Sequence, residues 1–372
     1  MRNLIFYKTT ADFDNTGEVL IYKSLLNFLR HYGEVVINDG ASIQPKFLQR
    51  LDVTEQERLS GKTSEGFMGY LLRSAFMSLF CKERVYFVTG VGEHNVAGVK
   101  SVVKNALSFC FLALFRLLGG RVLRIGMSMR FGGRMEQLSE KLLSYAVNHY
   151  YVRDSISLRN CKDAGVSRCE MAPDLSWGYK IDFKEFGNRE DIYMSFRSYC
   201  EGQTKAAQYE ARLRKVLCHL VRGISANVNG YIVFSWQCDE DYMFMKSLYD
   251  ELSDVANLKM GEELITLDNA HLYYGKAKYI LSNRLHVLLL GYKFGAPTIC
   301  ISDIERHRKI RGVFTDNGLQ NVLLDMNIPE EDLCTHLYEI TKDTSYLEGN
   351  IRNAENRNRQ TLENLFKNIF DS

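Results

Sequence analysis

The residues best suited to anion binding and acid–base chemistry are Arg284 and His286, in the stretch YILSNRLHVLLLGYKFGAPTICI over positions 279–301. The apolar start of this stretch predicts a strand, and Ser282-Asn283 are good N-caps for an apolar helix that follows. Arg284 and His286 then fall in the first helical turn, where backbone N–H groups lack partners and the helix dipole favours an anion. A cation and a titratable donor there indicate a phosphate or carboxylate site. Alternatively, Arg284 caps a neighbouring helix and His286 is a half-buried structural histidine.

Further candidate ligand contacts come directly after predicted strands, where open α/β sheets bind their ligands. They are the turn residues Asn15, Gly17 and Glu18, the glycines Gly90 and Gly92, and Arg153. The turn could instead cap a helix with nothing bound, and Arg153 could pair with Asp154 or cap a helix. Two glycines allow the backbone to approach a ligand closely. Asn95 stands where a G-x-G-x-x-G fingerprint has its last glycine, so a nicotinamide cofactor is not expected.

Length and composition limit the class of protein. With 372 residues, 46% of them hydrophobic, the chain exceeds the size at which one core stops growing, so two domains are expected. The formal net charge of +2 gives no reason to expect a nucleic acid partner. The nine cysteines include no C-x-x-C pair, which favours reduced thiols over zinc or a disulfide framework. The N-terminus becomes polar too soon for a signal peptide, which favours a cytoplasmic protein.

Strand and helix patterns alternate through both halves of the chain. The first half ends near Pro173 and the acidic segment 182–191, and the alternation restarts at Ile192–Phe196. We therefore predict an α/β fold of two Rossmann-like domains facing across a cleft. The expected divisions are an N-terminal domain over 1–180, a C-terminal domain over 181–345 and a final helix over 346–372. Local expectations include a basic loop over 127–133 and a strand at Leu264-Ile265. The acids 239–241 are expected at a helix N-terminus, with metal binding as the alternative.

The most apolar segment is a predicted helix over 101–119. Its uninterrupted apolar run is far shorter than the roughly 20 residues that a bilayer span needs. The helix therefore either packs on the sheet as a core helix or presents an amphipathic face to a membrane surface. In the second case residues 109–118 would face the membrane, and nearby cations would attract an anionic leaflet. These cations are Lys104, Arg116, Arg121 and Arg124.

Several short motifs occur in one order along the chain, and together they resemble the polysaccharide pyruvyl transferase family. The motifs are Asn15-Thr16-Gly17-Glu18, Thr89-Gly90-Val91-Gly92, Val152-Arg153-Asp154 with Ser157, Asp174-Leu175, Ser195-Phe196-Arg197, Ser282-Asn283-Arg284-Leu285-His286 with Gly291, Gly295-Ala296-Pro297, and Lys309 with Gly312. The resemblance spans about residues 12 to 320. The chain has Glu18 where the family usually has Asp, and its loop at 89–92 has fewer glycines than usual.

This resemblance implies a GT-B-like arrangement and transfer of pyruvate from phosphoenolpyruvate onto a sugar as a cyclic ketal. Arg153 and Arg284 would bind the phosphate and carboxylate, because a guanidinium grips such groups through two parallel hydrogen bonds. His286 would be the acid–base catalyst, since its ordinary pKa of about 6.5 suits proton exchange near neutrality. The residues implied to bind substrate are Leu285, Asn15, Gly17, Glu18, Gly90, Gly92, Ser128, Asp174, Arg197 and Lys309.

The implied partners are phosphoenolpyruvate as donor and a glycan or lipid-linked oligosaccharide as acceptor. No metal or other cofactor is expected. Peripheral contact with the inner face of the cytoplasmic membrane is expected. Two other functions stay open. A nucleotide-sugar glycosyltransferase of the same architecture would use arginines at helix N-termini for a diphosphate, and a sugar-phosphate binding protein would keep the site without catalysis.

Overall fold

The structure is a computed structural model and describes residues 2–8, 15–40, 45–166, 168–181, 188–200, 206–226 and 228–371. The chain forms two compact units. Unit 1 comprises Met1–Phe13, Ile21–Tyr179 and Asn358–Ser372, and unit 2 comprises Asp14–Leu20 and Lys180–Arg357. The longest stretch of unit 1 thus ends at Tyr179 and that of unit 2 begins at Lys180, next to the expected division at residue 180. Residues 14–20, expected in the N-terminal domain, lie in unit 2, and the end of the final helix lies in unit 1.

Unit 1 is built on one parallel sheet. Its elements are β1 (Arg2–Tyr7), α1 (Thr16–Tyr32, whose first turn lies in unit 2), β2 (Glu34–Ile37), α2 (Pro45–Arg50), α3 (Phe67–Ser78), β3 (Glu83–Thr89), β4 (Gly92–Val96), α4 (Gly98–Leu117), β5 (Arg121–Phe131), α5 (Arg134–Ser144), β6 (His149–Val152), α6 (Ser155–Asp163) and β7 (Cys169–Met171). Within the described residues the strand order is β2-β1-β3-β5-β6-β7, and β4 pairs with β5.

Unit 2 repeats this plan. Its elements are β8 (Asp191–Ser195), α7 (Ala206–Ser225), β9 (Ile232–Phe234), α8 (Asp239–Glu251), β10 (Leu258–Met260), α9 (Ala270–Tyr274), β11 (Ala277–Ser282), α10 (Leu285–Lys293), β12 (Thr298–Ser302), α11 (Arg308–Asp316), β13 (Leu323–Asp325), α12 (Glu330–Lys342) and α13 (Ser345–Asp371, which ends in unit 1). The described strands are parallel and follow the order β10-β9-β8-β11-β12-β13.

The central strands of both sheets are apolar and buried on two faces, as parallel strands covered by helices must be. In unit 1, Phe6 of β1 lies opposite Val36 of β2 and Phe87 of β3. In unit 2, Met194 of β8 lies between Phe234 and Leu281, in a core that also contains α7 residues. The carboxyl ends of the strands in each unit are consequently fixed, and the loops that follow them hold the candidate site residues.

Some local expectations are wrong. Residues 127–131 continue β5 instead of forming a loop, because the left-handed glycine Gly126 (φ +78°) lets the strand change register and run on beside β4 and β6. Leu264-Ile265 is not a strand; the edge strand β10 lies a few residues earlier and pairs with β9. The acids 239–241 do begin helix α8, as expected. Of the segment expected to divide the domains, residues 182–187 lie outside the described residues.

Candidate active site

Arg284 lies at the start of α10 and is bound by a carboxylate. It is the capping residue of the helix, with extended backbone angles of φ −107° and ψ 118°. Its Nη2 donates to Asp241 Oδ1 at 2.5 Å, and the two side chains are 11% and 1% exposed. Ser282 and Asn283 are thus not the helix caps that the sequence suggests. Ser282 Oγ accepts the Arg284 N–H at 2.9 Å, and Asn283 bonds the backbone of Arg197.

The Arg284–Asp241 pair is electrostatically unusual. Burial raises the pKa of the Asp241 carboxyl above its usual range, although the charge of Arg284 opposes this. Asp241 Oδ2 and Arg284 Nε are buried, and neither has a hydrogen-bond partner in the described part of the chain. Folded proteins pair the great majority of such atoms. The pair therefore keeps one donor and one acceptor that no described residue satisfies.

His286 lies in the first turn of α10, as expected, and its side chain packs against the start of α1. A Cβ atom at Gly17 would lie 2.6 Å from His286 Cβ and 2.8 Å from its Nδ1. Carbon atoms in contact prefer about 3.5–4.0 Å. The absence of a side chain at position 17 is therefore what makes room for this histidine.

The segment around Gly17 is anchored within unit 2. Asn15 Oδ1 accepts the Gly17 N–H at 3.0 Å. The Thr16 N–H donates to Gln237 O at 2.9 Å, and the Thr16 hydroxyl donates to Ile265 O at 2.8 Å. These bonds fix the backbone that the histidine contacts.

Arg197 lies two residues after the end of β8 and is 4% exposed. Its Nη2 lies 3.3 Å from His307 Nε2, and its guanidinium stacks over the Tyr199 ring, 5.1 Å from the centroid. Because a guanidinium only donates, the contact with Arg197 requires His307 Nε2 to accept, and its Nδ1–H then donates to Ser302 Oγ. A neutral His307 of this tautomer therefore orients Arg197.

The remaining expected residues of unit 2 differ in their surroundings. Leu285 is buried at the start of α10. Glu18 is half-buried in the first turn of α1, and Lys309 is half-buried in the first turn of α11.

In unit 1, Arg153, Ser128 and Asp174 form one buried network. Arg153 Nε donates to Ser128 Oγ at 2.8 Å, and its Nη1 donates to Asp174 Oδ2 at 3.1 Å. Ser128 in turn donates to Asp154 Oδ2 at 2.8 Å. Asp154 also caps α6 by accepting the Ser157 N–H at 2.7 Å. The alternative role weighed for Arg153, a bond to its neighbour Asp154, is replaced by this wider network across β5, β6 and the loop after β7.

Gly90 and Gly92 flank the turn between β3 and β4, and both have positive φ angles, 97° and 101°. A Cβ at Gly90 would lie 2.6 Å from Met127 Sδ, so this glycine serves packing, whereas a Cβ at Gly92 would meet nothing within 4 Å. Nearby, burial and the Arg124 charge lower the pKa of His94 to about 4. The open space at Gly92 is consistent with a ligand contact, and the packing at Gly90 is sufficient to explain that residue.

The expected site residues thus form two groups in separate units. Unit 1 holds Gly90, Gly92, Ser128, Arg153 and Asp174; unit 2 holds Asn15, Gly17, Glu18, Arg197, Arg284, Leu285, His286 and Lys309. Sequence reasoning missed two partners, Asp241 and His307. The acids 239–241 were assigned to a helix N-terminus or to metal binding, and the sequence around His307 does not indicate that this histidine is buried against Arg197.

The fold is similar to that of several solved structures. UDP-GlcNAc 2-epimerase from Methanocaldococcus jannaschii has a TM-score of 0.58 at 13% identity, over 92% of this chain and 93% of that chain. The enzyme from Neisseria meningitidis, bound to UDP-GlcNAc, has a TM-score of 0.57 at 12% identity, over 97% and 99%. Acinetobacter baumannii MurG has a TM-score of 0.51 at 11% identity, over 100% and 98%. These likenesses confirm the GT-B-like, two-domain α/β fold.

Sequence comparison identifies the family. No protein of curated function matches the chain. The family model described as polysaccharide pyruvyl transferase matches residues 15–303, most of the chain, from Asn15 to Asp303 directly after β12. The match includes both groups of candidate residues except Lys309. The chain therefore belongs to the polysaccharide pyruvyl transferase family and is a transferase.

Proposed function

We propose that the protein transfers pyruvate from phosphoenolpyruvate onto two hydroxyls of a sugar, as a cyclic ketal, and releases phosphate. The sugar would belong to a lipid-linked intermediate of a surface polysaccharide, at the cytoplasmic face of the membrane. The observation that carries this proposal is the position of Arg284 and His286 at one helix N-terminus. Arg284 binds the Asp241 carboxylate there, and His286 packs against Gly17.

The reaction requires two additions at one carbon. A proton is added to the methylene carbon of phosphoenolpyruvate, and a sugar hydroxyl forms a C–O bond to C2 as it loses its own proton. The bond from C2 to the phosphate oxygen then breaks, and a second hydroxyl adds to C2 and also gives up a proton. Two hydroxyl protons thus end on the new methyl group and on the released phosphate. The protein must supply cations for the donor and a group that can give and take protons.

Unit 2 holds side chains suited to these tasks. Arg284 would bind the donor through guanidinium donors that its bond to Asp241 leaves available. Asp241 would hold the guanidinium in one orientation, which lowers the entropy cost of binding. His286 would exchange the proton. Arg197, oriented by His307, would contribute a second cation.

The role of Arg153 in donor binding rests on the resemblance and is part of the proposal. Its ion pair with Asp174 is almost fully buried, with side chains 3% and 0% exposed. Breaking a buried pair by removing one partner costs about 3–5 kcal/mol. An Arg153→Ala variant must therefore be shown to be folded before any loss of binding is assigned to donor contact.

The test combines donor calorimetry with phosphate release on a lipid-linked glycan fraction. Arg284→Ala should weaken phosphoenolpyruvate binding by roughly 10-fold to 150-fold, because a hydrogen bond to a charged group contributes about 1.5–3 kcal/mol. His286→Gln should still bind the donor while kcat falls by about 10² to 10⁴. Arg214→Ala, which removes a partly exposed, ion-paired arginine of α7, is the matched control and should behave as wild type.

Two results would refute the proposal. One is wild-type donor affinity in Arg284→Ala, which would remove that residue from the donor site. The other is binding of UDP-GlcNAc with no binding of phosphoenolpyruvate, which would favour a nucleotide-sugar glycosyltransferase. We also propose that no resident cofactor is needed, so chelator-treated protein should release phosphate at the untreated rate.

A further inference from the structure

Helix α4 exposes an apolar stripe along its whole length. The stripe consists of Val99, Val103, Leu107, Cys110, Leu114 and Leu117, which recur at intervals of three or four residues. Leu107 is 67% exposed and Leu117 is 79% exposed. The opposite side of the helix packs on the sheet through Leu112 and Phe115. A helix that belonged only to the core would not leave its longest apolar face in solvent.

The two neighbouring helices continue this apolar surface. On α5 the exposed residues are Met135, Leu138, Leu142 and Tyr145, and on α3 and the turn after it they are Met68, Phe76, Met77, Leu79 and Phe80. Most of the large apolar side chains that the described residues expose lie on these three helices. We call this set, with the α4 stripe, the three-helix surface. Contiguous patches of this kind on a monomer usually mark an interaction site.

Direct contacts keep the three helices together. Arg116 Nη1 of α4 donates to Tyr145 O at 2.6 Å, and Asn105 Nδ2 donates to Ser139 Oγ of α5 at 3.1 Å. After α4, Gly119 approaches the end of α3 so closely that a Cβ would lie 2.9 Å from Leu79. The apolar residues of the three helices therefore form one surface of unit 1.

Three cations without ion-pair partners in the described part of the chain lie on the three-helix surface. Lys100 and Lys104 lie beside the α4 stripe and Arg134 begins α5; all three are exposed, and none has an ion-pair partner among the described residues. Helix α4 contains no acidic residue. The acids of α5 are engaged, since Glu140 is buried against Arg124 and Glu136 accepts the Gly98 N–H at 2.9 Å. Apolar side chains beside unpaired cations match the interface of an anionic bilayer.

The geometry excludes one use of α4. It is long and apolar enough to cross a membrane by length and composition, yet the strands on either side of it, β4 and β5, pair with each other in one sheet. A helix that connects two paired strands cannot have its ends on opposite sides of a bilayer. It can lie in the bilayer surface, as an amphipathic helix does.

We propose that the three-helix surface docks unit 1 onto an anionic lipid bilayer. The apolar stripe enters the headgroup boundary, and Lys100, Lys104 and Arg134 bind lipid phosphates. This assignment moves the expected membrane contact away from Arg121 and Arg124, because Arg121 donates to the Tyr86 hydroxyl and Arg124 is buried on Glu140. A second copy of the chain is a poorer occupant, since a symmetric contact would bring the same unpaired lysines together.

Vesicle flotation tests the proposal without donor or acceptor, so its outcome is independent of the transferase reaction. Wild type should float with phosphatidylcholine vesicles that contain phosphatidylglycerol, and much less with phosphatidylcholine alone or at high salt. Leu107→Ser with Leu117→Ser should bind on the order of 100-fold more weakly, because two exposed leucines no longer enter the apolar boundary. Lys100→Gln with Lys104→Gln should bind roughly 30-fold more weakly.

Met243→Ser is the matched control, because Met243 is 72% exposed on α8 of unit 2. It should float as wild type does. The proposal is overturned if wild type does not float at low salt, or if the leucine variant floats equally well. It is also overturned if sizing shows a wild-type dimer that the leucine variant splits, which would make the surface a self-association face.

Discussion

Substituting Gly17 by alanine tests whether the fit between α1 and His286 matters for function. The new Cβ would lie 2.6 Å from His286 Cβ, so about 1 Å of movement is needed to restore a normal carbon contact. The atom it meets is the first of the side chain and cannot turn away by a change of rotamer. Either the start of α1 or the histidine must therefore shift.

The expected cost can be separated from the general effect of adding a methyl group. Glycine to alanine in a helix stabilises by roughly 0.5–1 kcal/mol, whereas overpacking a filled site costs about 1–3 kcal/mol. Gly69 of α3 provides the matched control, because a Cβ there meets nothing within 4 Å. Gly69→Ala should raise the free energy of unfolding. The free energy of unfolding of Gly17→Ala should be lower than that of Gly69→Ala by about 1–3 kcal/mol.

The measurements are urea unfolding of both variants and phosphate release from phosphoenolpyruvate. A displacement of about 1 Å in a reacting group can reduce turnover on the order of 100-fold, so Gly17→Ala should lose activity while Gly69→Ala retains it. If the two variants were equally stable and equally active, the contact with His286 would have no functional importance. Loss of stability with full turnover would show that the histidine can move without consequence, and would contradict its role as acid–base catalyst.

Two further predictions concern buried charges. Asp241→Ala should lower the free energy of unfolding by about 3–5 kcal/mol, and adding Arg284→Ala should cost less than the sum of the single changes; additive costs in urea unfolding would show that the pair is not coupled. His94 has a folded-state pKa of about 4, below its ordinary 6.5, so its contribution to stability is present above pH 6.5 and is lost as the pH falls towards 4. The loss approaches about 3 kcal/mol, and His94→Gln should show a flatter pH dependence than wild type; parallel curves would contradict the assignment.

Much of the fold could be predicted because its signals are local. Strands such as Ile5–Tyr7 in β1 and Ile280–Leu281 in β11 are short apolar runs bounded by polar turns, and helices with apolar spacing follow them. Strand β4 was missed because its residues GEHNV are mostly polar and Val96 is the one apolar residue among them that is buried. It is a strand because β5 offers it a partner, and such pairing is not visible in local sequence.

In the candidate site, too, the sequence predicted only the features whose signals are local. The position of His286 in a first helical turn follows from neighbouring residues, so the sequence predicted it. The bond between Arg284 and Asp241 joins the residue before α10 to the first turn of α8, and the order of strands that brings these two helix starts together is a property of the whole sheet. A run of acidic residues at a helix start complements the helix dipole, so the sequence alone does not single out Asp241.

The segment 14–20 shows why motifs far apart in this sequence act together. Its residues precede most of unit 1 in the chain, yet Thr16 bonds to Gln237 and Ile265, and the segment belongs to unit 2. These bonds from Thr16, whose acceptors lie outside both motifs, place Gly17 against His286. A side chain at position 17 would act on the histidine directly, while loss of the Thr16 bonds would act on it through the backbone. Thr16→Val, which keeps the shape but removes the hydroxyl, should therefore reduce turnover in the same direction as Gly17→Ala, although no atom of residue 16 need contact the donor.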